Sequence, residues 1–484
     1  MSFRRLVLTL TFIAIFAMAL RISTDTDTWW HLRAGQEIVE GMLPRVDAYS
    51  HTRAGAVWLY PSAAWLSQAQ LFLVHAWAGW AGLNLWVAAL VTLAFAFVYA
   101  SLNRSSLFLR SGVVLLAAAS SAVYWAARPY LWSFVFSALT LWLLEAARAG
   151  QVRRLLWLPL VMLVWANSHP GFAVGFILLA IYGAEQAAIW WQARGQKDAA
   201  ARAWRAWGQY LALAAGGMLL AVCINPSGPV MLRYPFDTVE MDVLRGYIQE
   251  WQSPNFYETR VWPFAALLGL TVLAMLFAPR RPGLYDLLLV SVLGAMSLLA
   301  ARNIALFALA APIVLDRNLP NGVLKLEKRL RYRRSPTRAQ ALLHTTMLVL
   351  ALAAVAAKAS TVLPEAMNIR QFQVSLPVGA VEYMKAQQPE GQMFNSYNWG
   401  GYLIWALPEY PVFADGRTDL YGDEVLGEWL RIANAEPGWE QALAARDVQL
   451  VLLEPGWALS KLLPLAGWQT LYEDKDTLLF GQSE

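Results

Sequence analysis

The sequence contains a series of apolar segments, each close to 20 residues long, separated by short polar connections. A helix of about 20 apolar residues is long enough to cross the hydrocarbon core of a bilayer. The pattern predicts about eleven such helices, with an error of one or two. They lie at roughly 5–21, 82–101, 107–126, 130–147, 155–168, 171–190, 209–225, 263–279, 284–300, 302–315 and 341–362. We therefore expect a mainly α-helical, polytopic membrane protein.

The composition agrees with this class, because 58% of the residues are hydrophobic and only 15% are charged. A soluble domain has about 25% charged residues. The single cysteine, Cys223, excludes an internal disulfide framework and a thiolate metal cluster. The five histidines form no HExxH pair, so a zinc site is not expected. The net charge of +5 indicates cytoplasmic loops rather than nucleic-acid binding.

Lysine and arginine are concentrated in alternate connections. The N-terminal segment starts with Arg4 and Arg5, and we interpret it as a retained first span with a cytoplasmic N-terminus. The basic connections lie at 103–110, 148–154, 192–205, 279–283 and 317–338. Since cytoplasmic loops carry an excess of Lys and Arg, these connections are predicted inside, and the end of the last span is predicted outside.

The predicted outer connections hold nearly all of the unusual polar residues. They include TDTDTWWH (24–31), AARP (126–129), NSHPG (167–171), INPSG (224–228), YIQEWQSPNF (247–256) and ARNI (301–304). Polar side chains near bilayer depth usually face a protein interior or a watery cavity, and they mark functional sites. Any chemistry is therefore expected on the outer side.

The composition divides the chain into two predicted domains. Residues 1–362 form the transmembrane domain, in which the first outer loop, 22–81, contains interfacial helices. The apolar but interrupted segment 62–80 is either re-entrant or interfacial. Residues 363–484 alternate short apolar strands, among them PVFAD (411–415), with amphipathic helices. This alternation predicts a small, soluble α/β domain with an open sheet, placed outside the membrane by the topology.

Asp25 and Asp27 are the candidate catalytic residues. Side chains two apart in an extended segment point the same way, so both carboxylates can address one site. The amphipathic helix that follows them is suited to the headgroup plane. A carboxylate there can act as general base towards a hydroxyl or amine, or it can hold a divalent cation such as Mg²⁺ or Mn²⁺. Capping of the following helix is the alternative.

Three side chains are candidates for the positive charge that a departing lipid phosphate needs: Arg128, Arg302 and His169. In the alternative interpretation, the two arginines only extend their charged groups to the membrane interface while their aliphatic stems lie among apolar residues. The alternative for His169 is a structural role in a hydrogen-bonded turn. Glu250 lies in a long loop, 226–262, that can order over a ligand. It is a candidate for positioning an acceptor or assisting a metal, and the alternative is a surface carboxylate.

The remaining candidate substrate-binding residues lie in the same motifs and in the C-terminal region. They are His31, Asn167, Asn303, Asp415 and Arg417. Gly400 and Gly401 open a predicted helix that could receive an anion, although a structural turn explains them equally well. Asp415 and Arg417 have a second interpretation, in which they tie the C-terminal domain to the outer loops.

Taken together, the motifs resemble the GT-C superfamily of polytopic glycosyltransferases. This superfamily includes protein mannosyltransferases, the oligosaccharyltransferase catalytic subunit and the aminoarabinose transferase of lipid A. The acidic motif of the first outer loop would be Asp25-Thr26-Asp27. The resemblance is strongest to a group of bacterial membrane proteins. It extends over most of the chain through DTDTWWHLRAGQEIVEGMLPRVDAYSHTRAG, RPYLWSFVF, WANSHPGF, INPSGP, EWQSPNF, ARNIALF and NSYNWGGYLIW…FADGRTDLYG.

The resemblance implies a glycosyltransferase of the bacterial inner membrane. Its donor would be a polyprenyl-phosphate-linked sugar, and its acceptor a glycan, lipid or protein on the extracytoplasmic side. The reaction would invert the anomeric carbon, with Asp25 or Asp27 as base or metal ligand. No cofactor is certain, and a divalent cation is open. The chain departs from the mannosyltransferases, which have an adjacent Asp-Glu pair, and from oligosaccharyltransferases, because it has no WWDYG sequence.

Two other functions fit the same pattern. The first is a non-catalytic envelope assembly or scaffold subunit with the same fold. The second is a ligase or transporter of lipid-linked glycans. A transporter predicts polar residues through the middle of the membrane, whereas these spans are polar mainly at their outer ends.

Overall fold

A computed structural model describes residues 2–195, 198, 201–202, 204–239, 248–320, 323 and 337–482. The chain is 71% helical, which confirms the mainly α-helical class. Among the described residues, six helices are long and apolar enough to cross a membrane: Tyr60–Ser101, Leu107–Tyr124, Tyr130–Arg148, Pro170–Ala193, Thr259–Leu276 and Arg338–Val362. The helices Gln209–Cys223 and Leu284–Leu299 are apolar but shorter. The count of about eleven spans stays a prediction.

Each apolar segment predicted as a span contains a helix. The helices of this part are α1 (Phe3–Ala19), α2 (Thr28–Val39), α3 (Tyr60–Ser101), α4 (Leu107–Ser121), α5 (Tyr130–Arg148), α6 (Leu158–Ala166), α7 (Ala173–Ala193), α8 (Gln209–Cys223), α9 (Tyr234–Val239), α10 (Trp262–Leu276), α11 (Leu284–Leu299), α12 (Ile304–Arg317) and α13 (Arg338–Val362). Helix α3 is kinked at Gly79, whose φ of 58° favours glycine. The interrupted segment 62–80 therefore forms the first arm of α3, and the predicted span 82–101 forms the second.

The basic connections meet at one end of the bundle. The Asp316 carboxylate accepts the backbone N–H groups of Asn103, Arg104 and Ser105 at 3.0, 2.8 and 2.8 Å. Arg148 lies 2.7 Å from Glu185. Most of the basic connection 317–338, and part of 192–205, lie outside the described residues.

The polar connections meet at the opposite end. Asn225 donates to the Ser62 carbonyl at 2.6 Å, and the Ala301 N–H donates to the Gln252 carbonyl at 2.8 Å. Arg128, which lies between α4 and α5, pairs with Asp25. The clustering of the polar motifs is therefore seen in the structure, although residues 240–247 of the loop 226–262 lie outside the described residues.

The C-terminal region is built around a small sheet. Its strands are β1 (Gln392–Asn395), β2 (Val448–Leu453), β3 (Trp468–Glu473) and β4 (Leu478–Gln482), in the order β1-β2-β4-β3. Strand β1 is parallel to β2, and the other two pairs are antiparallel. The helices of this region are α14 (Glu365–Ser375), α15 (Val378–Gln387), α16 (Gly400–Ala406), α17 (Thr418–Ala433), α18 (Trp439–Ala445) and α19 (Ala458–Leu462). The domain boundary at residue 362 stays a prediction, and α13 ends there.

The PVFAD segment, which was expected as a strand of this sheet, instead joins the first outer loop. The Val412 N–H donates to the Tyr49 carbonyl at 3.0 Å, and the His51 N–H donates to the Val412 carbonyl at 3.1 Å. On the side of β1, the Asn395 side chain accepts the Phe413 N–H at 2.7 Å and donates to the Ala414 carbonyl at 2.9 Å. The side-chain amide of Asn395 therefore binds the Phe413 N–H and the Ala414 carbonyl, which would otherwise be available to the backbone of a neighbouring strand.

A fully buried ionic cluster reinforces this junction. Arg417 pairs with Asp415 at 2.7 Å and also with Asp47 of the first outer loop. Its guanidinium lies 4.8 Å from the ring centre of Trp58 and 5.1 Å from that of Tyr49. Because a buried charge is costly without partners, the cluster is stable only while loop and C-terminal region stay together.

We expect Arg417→Ala to destabilise the protein by about 3–5 kcal/mol, because Asp47 and Asp415 would lose a buried counter-charge. Arg53→Ala is the matched control, since Arg53 joins the same two regions through the Tyr421 carbonyl at 2.9 Å and through Glu424, whose side chain is 75% exposed. An exposed pair of this kind contributes within about 1 kcal/mol. Thermal unfolding of the detergent-solubilised protein, followed by tryptophan fluorescence, measures both. Equal effects would contradict the assignment of Arg417 as the link.

Candidate active site at the polar end of the bundle

One guanidinium group engages both carboxylates of the acidic motif. Arg128 lies 2.6 Å from the Asp27 carboxylate and 3.4 Å from that of Asp25. The Asp27 backbone N–H donates to Asp25 at 2.9 Å, which fixes the turn between them. The two aspartates therefore address the same point. They meet across this turn, in which Asp27 has helical dihedral angles, and not along the extended segment that was expected.

Capping does not account for the Asp27 carboxylate. Asp27 stands at the position before α2, but its side chain makes no capping hydrogen bond to that helix. The carboxylate is buried, with 8% of the residue exposed, and is directed at Arg128 instead. A buried carboxylate that does not satisfy the backbone points to an electrostatic or chemical role.

The C-terminal region contacts the acidic motif through glycine. A Cβ atom on Gly416 would lie 1.7 Å from the Asp27 Oδ1 atom, and one on Gly401 would lie 2.4 Å from the Thr26 carbonyl oxygen. Backbone can approach this closely only where no side chain intervenes. Gly416 stands between Asp415 and Arg417, so the buried ionic cluster holds the backbone against Asp27.

A second ion pair lies beside the first. Arg302 is 3.4 Å from Glu250, and its guanidinium lies 4.3 Å from the ring centre of Trp251. The field of Arg128 also acts on Glu250. Three carboxylates, those of Asp25, Asp27 and Glu250, thus share two arginines. The pocket has a surplus of negative charge.

Burial, and to a smaller extent this surplus, determines which carboxyl binds a proton. Burial raises the pKa of the Asp27 carboxyl from 3.8 to about 6; Arg128 opposes the shift, and Asp25 and Glu250 add to it. For Glu250, burial alone would raise the pKa, but Arg302 and then Arg128 bring it below its ordinary value. Of these two carboxyl groups, that of Asp27 is therefore the one that can exchange a proton near neutral pH.

Two neutral histidines complete one side of the site. Burial, then Arg128 and His169, hold the pKa of His31 well below its ordinary value, and burial, Arg302 and Arg128 do the same for His169. The Nδ1 atom of His31 accepts from Gln68 at 3.2 Å, and that of His169 accepts the Gly171 N–H at 2.9 Å. The proton of each imidazole is consequently on Nε2, which makes Nε2 a donor.

The structure brings together five of the nine predicted substrate-binding residues. They are His31, Arg128, His169, Glu250 and Arg302, which interact with one another through the Arg302–Glu250 ion pair or through the fields of their charges. His169 also forms the turn that was its alternative role. The part that each plays towards a substrate stays a prediction.

The other four predicted residues are held by the protein itself. Asn167 accepts from Trp65 at 2.7 Å and donates to the Ile224 carbonyl at 3.0 Å. Asn303 donates to the Met296 carbonyl at 3.0 Å. Asp415 and Arg417 belong to the buried cluster, in agreement with their second interpretation as a tie to the outer loops. These contacts position connections around the site.

Sequence reasoning did not single out Asp47, Gln68 or Gly416. Asp47 pairs with an arginine 370 residues away, and no spacing signal reveals such a partner. Gln68 is a polar residue in the apolar segment 62–80, and that was the available signal in the sequence. The structure buries its side chain against His31. Gly416 stands in the DGR stretch that was quoted, but its contact with Asp27 depends on the fold.

Binding of a divalent cation at the acidic motif stays a prediction, since Mg²⁺ can be held by two carboxylates together with substrate phosphate oxygens. In the described ranges, no group of three or more His, Cys, Asp or Glu residues could hold a metal ion. The guanidinium of Arg128 contacts both aspartates. Among the described side chains, the positive charge at the acidic motif is therefore supplied by arginine.

The fold is similar to those of several solved membrane glycosyltransferases. The archaeal oligosaccharyltransferase AglB from Archaeoglobus fulgidus, in complex with an inhibitory peptide and a dolichol-phosphate, matches with a TM-score of 0.53 and 12% identity, over 99% of this chain and 74% of its own. The arabinofuranosyltransferase AftD from Mycobacteria matches with a TM-score of 0.52 and 13% identity, and the match covers 99% of this chain and 40% of the AftD chain. The chain has a GT-C fold.

This fold confirms the resemblance drawn from the motifs, and with the apolar helices it identifies an integral membrane protein. ArnT from Cupriavidus metallidurans, bound to undecaprenyl phosphate, matches with a TM-score of 0.48 and 13% identity, over 98% of this chain and 97% of its own. No protein-family model and no curated protein matches the sequence.

We expect Asp27 to make the stability of the protein depend on pH. Its pKa is raised from 3.8 to about 6, so the folded protein binds this proton more tightly than the unfolded chain does. The free energy of unfolding should therefore fall by up to about 3 kcal/mol as the pH rises through this range. Asp27→Asn should remove that part of the pH dependence. Unfolding curves of both proteins across the range test this, and the same slope in both would contradict it.

Proposed function

We propose that the protein is a glycosyltransferase that moves a sugar from a polyprenyl-phosphate donor to an acceptor on the extracytoplasmic side of the membrane. The observation that carries the proposal is the buried Asp27 carboxylate, held 2.6 Å from Arg128 at the polar end of a GT-C fold. The AglB structure, in which a dolichol-phosphate is bound, supports a lipid phosphate as the leaving group.

Asp27 acts as the general base. It takes the proton of an acceptor hydroxyl or amine while the acceptor atom forms a bond to the anomeric carbon. The bond between that carbon and the phosphate oxygen breaks, and the phosphate leaves with the electron pair. A single displacement of this kind inverts the anomeric configuration. A pKa of about 6 keeps Asp27 mostly deprotonated near neutral pH, yet basic enough to accept a proton.

Arg302 and Arg128 stabilise the negative charge that develops on the phosphate. Three carboxylates repel an approaching phosphate, so it binds only where guanidinium groups lie between it and them. The ion pair of Arg302 with Glu250 is long, at 3.4 Å, and leaves donors free for a phosphate oxygen. The neutral Nε2–H groups of His31 and His169 can donate to sugar hydroxyls without adding charge.

Asp25 is a positioning residue in this mechanism. It accepts the Asp27 N–H at 2.9 Å and holds the second arm of Arg128 at 3.4 Å. It thereby sets the direction of the Asp27 carboxylate. The distribution of basic connections supports a cytoplasmic N-terminus in the bacterial inner membrane, with this site and the C-terminal region outside.

We expect Asp27→Asn to lower the transfer rate about 10²–10⁴-fold, because the amide cannot accept the acceptor's proton. Release of polyprenyl phosphate from lipid-linked sugars, measured by mass spectrometry in vesicles of cells that express the chain, gives the rate without knowledge of the sugar. Glu258→Gln is the control, since Glu258 pairs only with the exposed Arg260 among the described ion pairs.

An Asp27→Asn protein that releases polyprenyl phosphate as fast as the wild type would remove this residue from the chemistry. Absence of release from the wild type itself, in vesicles that contain donor and acceptor, would favour the non-catalytic scaffold.

We expect Arg302→Gln to lower the maximal rate about 10²-fold, because a neutral amide stabilises the departing phosphate poorly. Arg260→Gln removes the same charge from a neighbouring outer connection, where the side chain is 55% exposed, and should leave the rate unchanged. The same release assay at saturating donor compares them. Equal rates for the two variants would show that Arg302 does not act on the leaving group.

A further inference from the structure

A groove between α1 and α13 opens sideways towards the lipid. Its volume is about 550 Å³, and its walls are apolar apart from one threonine: Leu8, Phe12 and Phe16 on one side face Leu352 and Val355 on the other. Only 6% of the apolar window of α13 is buried in the protein, so this helix is surrounded mainly by lipid. An apolar groove at that place suits a hydrocarbon chain.

Two cations lie at the outer end of this groove. Lys358 donates to the Ala17 carbonyl at 2.5 Å, directly beyond Phe16, and Arg21 follows one turn later and donates to the Trp125 carbonyl. In the part of the chain that the structure describes, no carboxylate lies within 4.0 Å of either side chain. Both side chains are half-buried, and neither charge is neutralised. Half-buried charges in an apolar setting are costly unless an anion compensates them.

The cation pair is continuous with the candidate active site. Trp125, which accepts from Arg21, belongs to the same connection as Arg128. The Arg21 guanidinium also lies 5.9 Å from the ring centre of Trp125. An anion held by Arg21 would thus lie beside the connection that carries Arg128, and Arg128 reaches Asp25.

We propose that this groove holds the isoprenoid chain of a polyprenyl phosphate, and that Arg21 and Lys358 bind its phosphate. The inference rests on the proposed function and adds a second place for the lipid, outside the reacting centre. A polyprenyl phosphate has one chain and a terminal phosphate, which match one groove and one cation pair. A diacyl phospholipid is the alternative occupant, and competition with phosphatidylglycerol distinguishes the two. The site would receive the lipid phosphate as it arrives or leaves.

Binding of undecaprenyl phosphate to the full chain in phosphatidylcholine nanodiscs tests the proposal without any catalytic readout. The double variant Arg21→Gln/Lys358→Gln should bind at least about tenfold more weakly, because it loses two charge-assisted hydrogen bonds. Lys358→Arg should keep the affinity. Arg370→Gln, which removes an exposed charge from α14, is the matched control. Val355→Trp should fill the groove and weaken binding, whereas Leu350→Trp, at a position 63% exposed on the same helix, should not.

Unchanged affinity in both the double variant and Val355→Trp would overturn this site. If such variants also release polyprenyl phosphate at the wild-type rate, the proposed function stands and only the present inference falls. Displacement of undecaprenyl phosphate by an equal concentration of phosphatidylglycerol would show a general site for anionic phospholipids and would likewise overturn it. A wild-type protein that does not bind undecaprenyl phosphate would contradict both proposals.

Discussion

Arg417 has almost no exposed surface, and its charge is shared between Asp415, close to it in sequence, and Asp47, 370 residues earlier. A guanidinium in that position is tolerable only while both carboxylates are present, so the cluster forms when the first outer loop meets the C-terminal region. The segment after β1 is consequently drawn away from the sheet and bonded to Tyr49 and His51. The backbone at Gly416 then lies directly against Asp27. The shape of the acidic site depends on this link.

The electrostatics of the site follow from that enclosure. Closing the C-terminal region over the acidic motif removes water from Asp27, which raises its pKa, while the arginines keep Glu250 ionised. The same burial keeps His31 and His169 neutral, since protonating either would add a charge beside Arg128. Of the carboxyls of Asp27 and Glu250, Asp27 has the raised pKa. In the proposed mechanism, the base, the stabilisation of charge and the donation of hydrogen bonds are therefore divided among different side chains.

Much of the helical framework could be predicted from the sequence, because a membrane-spanning helix needs a long run of apolar residues and such runs are easily recognised in the chain. That Asp25 and Asp27 address one point was also expected, but the reason was wrong, because a turn and Arg128 bring the carboxylates together and not an extended segment. The prediction of a strand at Val412 was wrong, because the apolar alternation of that segment does not indicate which other segment its backbone will bind. Asn395, a side chain that supplies both a donor and an acceptor, decided that outcome. Asp47 was missed for a related reason, since its partner is distant in sequence.

The described ion pairs at the two ends of the bundle differ in geometry. At the end with the basic connections, Arg148 makes a bidentate contact with Glu185, at 2.7 Å for both hydrogen bonds, which occupies one full face of the guanidinium. At the polar end, Arg128 reaches Asp25 and Arg302 reaches Glu250 only at 3.4 Å. Long pairs hold their partners weakly and can exchange them for a phosphate, whereas a bidentate pair gains little from doing so. Arg128 keeps its short contact with Asp27, at 2.6 Å, so the two long pairs are the ones that the proposed phosphate binding would use.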